Sequence, residues 1–203
     1  MTTYTILCGL SGRKLLKTPT GHMKIDCRTS VVDPLFGQRD SFLGKHDLPT
    51  KNLTETIKET EKHLVEYPTY LIGWSFGGLI ASLQKRSKPI KKVILVSPLS
   101  GGKTIVLSPT KRILIQFIPA LREAYSEETQ NKVFENLKKW NVEIIFILPK
   151  NGEYIGDNKV VYSEEVIKRM KGVGTVTFIE GVQKHEEMLS NEQFLKCIKE
   201  VID

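Results

Sequence analysis

Short apolar runs alternate along the chain with longer stretches in which apolar residues recur at helical spacing. The run at 92–98 is nearly continuous, which is typical of a parallel strand buried on both faces. The pattern predicts strands over residues 3–8, 69–72, 92–98, 142–148 and 175–180, and helices over 50–66, 76–85, 127–140, 163–171 and from Asn191 onward. Regular alternation of strands and helices favours an α/β fold built on a parallel sheet.

The last predicted helix carries both a start signal and an apolar face. Asn191 is a residue type that caps helices well, because its side-chain oxygen accepts a hydrogen bond from a free backbone N–H. The apolar face that follows it consists of Phe194, Ile198, Val201 and Ile202. We therefore expect this helix to pack against the sheet.

One strand–helix junction contains a motif with chemical meaning. The apolar run ends in Gly73-Trp74-Ser75-Phe76-Gly77, and a helical pattern follows at once. Interpreted as strand, sharp turn and helix, the motif places the Ser75 hydroxyl at the tip of the turn, and the small glycines let strand and helix pass closely. The alternative is a glycine-rich turn with a solvated serine.

This junction, with the alternating elements around it, resembles the nucleophile elbow of the α/β-hydrolase family. The resemblance extends from about residue 3 to residue 202, and residues 23–33 correspond to the family's second central strand. It implies a three-layer sandwich with a mostly parallel, about six-stranded sheet. It also implies a single domain over 1–203, with a small lid-like insertion around 99–141 that shapes the substrate pocket or simply forms a crossover helix pair.

The same resemblance implies a catalytic triad in the order serine, acid, histidine. His185 follows the last predicted strand, which is where the family has its histidine. Asp157 is the preferred acid because Gly156-Asp157-x-x-Val160 resembles the family's glycine–aspartate–valine pattern. Glu153 is the alternative, since it lies closer to the end of the preceding strand.

Two backbone N–H groups, those of Leu10 and Phe76, are expected to form the oxyanion hole. Leu10 lies in the loop after the first strand, where Cys8 occupies the position of the family's usual histidine. The chemistry needs a backbone donor there and not a side chain, so Cys8 does not exclude the role.

The predicted triad is suited to acyl transfer, because a serine hydroxyl needs an adjacent base and the base needs an orienting carboxylate. We expect a serine hydrolase that cleaves a carboxylic ester or thioester of a small-molecule acyl substrate through an acyl-enzyme on Ser75. No metal or organic cofactor is expected. The alternative is a non-catalytic protein of the same fold that binds a small ligand or a protein partner.

Composition changes this picture little. The net charge of +7 comes from lysine-rich stretches at 85–92 and 103–112, which we interpret as solvated surface, with an anionic partner as the alternative. No nucleic-acid-binding motif and no apolar run of membrane-spanning length is visible. The three cysteines lack metal-binding spacing and favour a reducing, cytoplasmic setting.

Overall fold

A six-stranded parallel sheet forms the centre of the protein. The computed structural model describes residues 3–7, 28–32, 51–63, 70–85, 90–99, 116–155 and 158–202. The sheet consists of β1 (Thr3–Leu7), β2 (Arg28–Val32), β3 (Tyr70–Trp74), β4 (Lys92–Val96), β5 (Glu143–Pro149) and β8 (Thr175–Ile179). Its strand order is β2-β1-β3-β4-β5-β8, and every neighbouring pair is parallel. The predicted sheet is confirmed.

Helices cover both faces of the sheet. They are α1 (Leu53–His63), α2 (Phe76–Leu83), α3 (Pro119–Ala124), α4 (Glu127–Lys138), α5 (Glu164–Lys171) and α6 (Glu192–Ile202). Successive strand residues point to opposite faces, so Leu71 and Val93 pack with α1 to α5, whereas Ile72 and Ile94 pack with α6. The expected three-layer sandwich is therefore confirmed.

The last helix begins and packs as its sequence indicates. The Phe194 N–H donates to Oδ1 of Asn191 at 3.1 Å, which satisfies one of the free donors of the first turn. Phe194 and Ile198 are buried in the cluster on this side of the sheet. The cap and the apolar face of α6 are therefore confirmed for the residues whose side chains are described.

The segment after β5 contains two short strands that the sequence pattern does not predict. It contains a short antiparallel ribbon of β6 (Glu153–Ile155) and β7 (Asn158–Val160). The Tyr154 N–H also donates to the Gln183 carbonyl at 2.7 Å, which joins the ribbon to the chain segment after β8. Strands of three residues are too short to produce a period-two pattern, so no local signal predicts them.

The predicted insertion around 99–141 is only partly described, because residues 100–115 lie outside the described residues. The described part contains α3 and α4, which pack on the helical layer. The Leu53 N–H donates to Glu123 of α3 at 2.9 Å, and the Asn136 side chain of α4 donates to the Ser82 carbonyl at 2.7 Å. Its role as a lid and the single-domain assignment over 1–203 stay predictions.

Candidate active site

Four residues of the candidate site follow four neighbouring strands at one edge of the sheet. Ser75 comes directly after β3 and Ser97 directly after β4, while Glu153 follows β5 and His185 follows β8. Because the strands are parallel and adjacent in the order β3-β4-β5-β8, their carboxyl ends lie at the same edge. Ligand sites in open α/β sheets form at this edge.

Ser75 occupies a strained turn between β3 and α2. Its φ of 56° and ψ of −120° are rare for a residue with a side chain. Four backbone hydrogen bonds hold it there: its N–H donates to the Val96 carbonyl at 3.0 Å, and its carbonyl accepts from Gly78, Leu79 and Leu99 at 3.0, 3.3 and 3.0 Å. Backbone contacts on both sides therefore fix the turn.

Close approach of strand and helix is possible because two positions lack a Cβ. A Cβ at Gly73 would lie 2.7 Å from the Gly77 carbonyl oxygen, and one at Gly78 would lie 2.8 Å from the Cβ of Pro98. The half-buried Ser75 makes no side-chain capping bond to α2. Its hydroxyl is therefore not engaged in capping the helix that it precedes.

His185 follows β8 and contacts Trp74, the residue before this turn. It is the first residue of a 3₁₀ helix, His185–Ser190, where the sequence predicts a loop. The Glu187 carboxylate accepts from the Lys184 N–H at 2.9 Å and from the Gln183 N–H at 3.0 Å, which fixes the chain immediately before the histidine. These two hydrogen bonds lower the pKa of Glu187.

The imidazole of His185 stacks on the indole of Trp74. The ring centroids are 4.8 Å apart and the planes differ by 19°. Trp74 is the residue immediately before Ser75, so the stacking joins the histidine to the strand end that leads into this turn. Nε2 of His185 is buried and has no hydrogen-bond partner within the described part of the chain. A buried polar atom of this kind normally has a partner.

The other ring nitrogen contacts a buried carboxylate. Nδ1 of His185 lies 2.8 Å from Oε1 of Glu153, whose side chain is 1% exposed. The separation is short, but the Nδ1–H direction does not meet hydrogen-bond geometry. Hydrogen bonds of catalytic groups are often poorly aligned in the absence of substrate, so the imperfect direction does not exclude an orienting role for Glu153.

One hydroxyl group bonds to the Glu153 carboxylate, and the charge of the carboxylate acts on a second hydroxyl group. The Ser97 hydroxyl donates to Oε2 of Glu153 at 3.3 Å. The Tyr162 hydroxyl donates to the Pro98 carbonyl at 2.9 Å. Burial, followed by the negative charge of Glu153, raises the pKa of Tyr162 well above its usual value, so Tyr162 stays a neutral donor at physiological pH.

The structure describes only one of the two candidate acids. Glu153, the alternative in the sequence, is the carboxylate at Nδ1 of His185. The preferred Asp157 lies outside the described residues, as do Cys8, Leu10 and the lysine-rich stretch at 103–112. Phe76 is the first residue of α2, a position whose N–H has no partner within the helix.

Trp74, Ser97 and Tyr162 have no predicted role in the sequence analysis. Trp74 belongs to the motif but fills one of its variable positions. The Ser97 hydroxyl reaches Glu153, and the Tyr162 hydroxyl reaches the Pro98 carbonyl, each across a long interval of sequence. No short spacing pattern could have found them. The residues that the structure describes contain no group of three or more His, Cys, Asp or Glu side chains that could hold a metal ion.

Solved structures of similar fold are known, although no protein-family model and no curated protein matches the chain. A naproxen esterase of Bacillus subtilis is 12% identical with a TM-score of 0.65, and the match covers 100% of this chain and 84% of the esterase. The N-formylmaleamic acid deformylase of Pseudomonas putida is 14% identical with a TM-score of 0.67, and the match covers 98% of this chain and 91% of the deformylase. A monoacylglycerol lipase of Paleococcus ferrophilus is 13% identical with a TM-score of 0.66, and the match covers 98% of this chain and 93% of the lipase.

At identities this low, structural likeness establishes the fold and not the activity. The chain has an α/β-hydrolase fold. Within the described residues, no helix is both long enough and apolar enough to span a membrane.

Proposed function

We propose that this α/β-hydrolase-fold protein is a serine hydrolase that cleaves a carboxylic ester or thioester through an acyl-enzyme on Ser75. One observation carries the proposal. His185 contacts the buried Glu153 through Nδ1, stacks on the residue before Ser75, and leaves Nε2 without a partner. That arrangement leaves a base beside a serine whose backbone is strained and whose hydroxyl caps no helix.

The acylation step follows from these contacts. Nε2 of His185 takes the Ser75 proton as Oγ attacks the acyl carbon, and the carbonyl oxygen of the substrate becomes an oxyanion. The Phe76 N–H, at the positive end of α2, is our candidate donor to that oxyanion, and the Leu10 N–H is the second candidate donor. The imidazolium then protonates the leaving alcohol or thiol as the bond to the acyl carbon breaks.

Deacylation repeats the chemistry with water. His185 takes a proton from water, the resulting hydroxide equivalent attacks the acyl carbon, and the proton returns to Ser75 Oγ as the carboxylic acid leaves. Glu153 keeps the imidazole oriented and stabilises its positive charge in both steps. We assign the acid role to Glu153 in place of Asp157, because Glu153 already contacts Nδ1.

A substrate panel tests the proposal. The panel contains p-nitrophenyl esters and acyl-coenzyme A thioesters of increasing chain length, each assayed with the wild-type protein and with Ser75→Ala. We expect hydrolysis of at least one class by the wild-type protein and none above background by the variant. Equal rates for both proteins would contradict the proposal.

Ligand binding without catalysis is the second candidate function. Its supporting observation is that Nε2 of His185 makes no hydrogen bond, to Ser75 or to any other described residue. A binding protein of this kind would be folded and would bind an acyl compound, but it would hydrolyse no member of the panel. Isothermal titration of the Ser75→Ala variant with the same compounds would then show affinity that matches the wild-type protein.

A further inference from the structure

The segment Ser97–Leu99 touches both halves of the candidate site. The Leu99 N–H donates to the Ser75 carbonyl at 3.0 Å, and Pro98 packs where a Cβ on Gly78 would collide. On its other side, the Ser97 hydroxyl donates to Oε2 of Glu153 at 3.3 Å. These three residues therefore lie between the nucleophile turn and the acid.

Ser97 has a backbone conformation that serine rarely adopts. Its φ is 40°, in the left-handed region, and the residue is 3% exposed. The Ser97 N–H donates to the Ile147 carbonyl of the adjacent strand at 2.9 Å, and the Tyr162 hydroxyl holds the next carbonyl, that of Pro98. Glycine would adopt this backbone conformation at a lower energetic cost. The chain nevertheless has a serine here, which keeps the strain and supplies a hydroxyl group.

Glu153 needs a second anchor because of where it lies. It begins a ribbon strand of three residues, and its long side chain has several rotatable bonds. Oε1 contacts His185, and Oε2 accepts from Ser97. A buried carboxylate also requires donors to offset its lost hydration, and a hydroxyl supplies one without adding charge.

We propose that Ser97 is a positioning residue whose hydroxyl fixes the Glu153 carboxylate so that Oε1 faces Nδ1 of His185. The inference rests on the proposed function, because positioning matters only if His185 acts as a base. Ser97 itself touches neither the substrate nor Ser75 Oγ in this account. It acts through Glu153, and the segment that it begins ties that position to the backbone of the nucleophile turn.

Two variants separate the hydroxyl from the backbone strain. Ser97→Ala removes the hydroxyl and keeps the strained conformation, whereas Ser97→Gly removes the hydroxyl and relieves the strain. We expect kcat to fall about tenfold in both, with KM changed less than about twofold, since a small misplacement of a catalytic group lowers the rate of chemistry. Wild-type kcat in Ser97→Gly would overturn the proposal.

Ser82→Ala is the matched control. Ser82 is buried like Ser97, at 1% exposed, and its hydroxyl donates to the Gly78 carbonyl within α2 at 2.8 Å and not to Glu153. The same atom is removed at similar burial, so kcat should stay at the wild-type value. An equal loss of kcat in Ser82→Ala and Ser97→Ala would show that general loosening, and not positioning, is the cause.

A double-mutant cycle tests whether Ser97 acts through Glu153. In a Glu153→Gln background the charged acceptor is gone, so adding Ser97→Ala should lower kcat by less than about twofold. The same tenfold loss in both backgrounds would overturn the proposal. Because Ser97→Gly relieves backbone strain, it replaces Ser97→Ala in the cycle if the alanine variant does not fold.

A spectroscopic measurement keeps this inference separate from the proposed function. The imidazole ¹⁵N shifts of His185, read through its carbon-bound protons and assigned by their loss in His185→Gln, should change in Ser97→Ala and not in Ser82→Ala. Unchanged shifts would overturn the inference even in an active enzyme. If the wild-type protein hydrolyses nothing while the shifts still change, the proposed function fails and the positioning contact stands.

Discussion

The nucleophile side of the candidate site and its acid–base side are held by different kinds of contact. Ser75 is fixed by backbone hydrogen bonds and by glycines within a few residues of it, with β4 and its following segment as the second support. Glu153 and His185 are fixed mainly by side-chain contacts. Their own contact joins two positions that are 32 residues apart in the sequence. The first side is therefore specified largely by residues close to Ser75 in the sequence, whereas the second depends on the tertiary fold.

This difference determines which substitutions act on chemistry and which act on folding. On the nucleophile side, a change at a glycine moves the backbone and lowers stability together with activity. On the acid–base side, a change of carboxylate to amide leaves the backbone in place and lowers activity alone. The following predictions test that division, from the largest expected effect to the smallest.

Removal of either reacting group should nearly abolish hydrolysis. We expect Ser75→Ala and His185→Ala each to lower kcat/KM by about 10⁶-fold, because the two groups act as one unit. The double variant should be no slower than either single variant, which steady-state kinetics on the best ester of the panel would measure. If the two losses multiplied in the double variant, the claim that Ser75 and His185 act as one unit would be contradicted.

The choice of acid gives the next largest effect. Glu153→Gln should lower kcat by about 10⁴-fold, because an amide cannot stabilise the imidazolium and favours the wrong tautomer. Asp157→Asn is the matched control and should stay within about threefold of the wild-type protein. The reverse result, a large loss only in Asp157→Asn, would restore the acid that the sequence alone favours.

A glycine on the nucleophile side should affect stability as well. Gly73→Ala places a Cβ 2.7 Å from backbone atoms of Gly77 and Gly78, so we expect a loss of about 3 kcal/mol in the free energy of unfolding. Gly172→Ala is the control, since its Cβ would meet nothing closer than the Arg169 carbonyl at 3.3 Å. Urea titration of both should give a near-normal midpoint for the control, and equal midpoints would contradict the packing argument.

The smallest effect is expected at a residue that takes no part in the contacts of either side. Asn191→Ala removes the cap of α6 and should lower the free energy of unfolding by about 1 kcal/mol. Its kcat should match that of the wild-type protein, since the capping bond lies outside the Ser75–His185–Glu153 contacts. A large fall in kcat in this variant would show that modest destabilisation alone disturbs the site, and would weaken the interpretation of the Ser97 variants.

The same division explains what the sequence could predict. The central strands β3, β4 and β5 are apolar runs and the nucleophile turn is a motif of five residues, so both can be predicted from neighbouring positions. Glu153 is buried in a ribbon of three-residue strands that the hydrogen bond from Tyr154 to Gln183 joins to the segment after β8, and neither feature leaves a periodic pattern in the sequence. In the sequence, Asp157 resembles the family's pattern more closely than Glu153 does. The preference for Glu153 comes only from its contact with His185 in the folded chain.

Ser97 shows a second reason for the limits of prediction. In the sequence it is the end of an apolar run followed by proline, which indicates the end of a strand and nothing about chemistry. Its role in this account arises from its left-handed backbone and from a carboxylate 56 residues further along the chain. Leu10 lies in a loop outside the described residues, so its role as an oxyanion donor stays a prediction.

Covalent labelling of Ser75 by a fluorophosphonate tests the central claim most directly. Mass spectrometry of the intact protein and of its peptides should find one adduct, on Ser75, formed rapidly in the wild-type protein and in Asp157→Asn. Labelling should be lost in His185→Ala and strongly slowed in Glu153→Gln. A folded wild-type protein without an adduct, or an adduct whose rate does not depend on His185, would contradict the claim that these three residues act together.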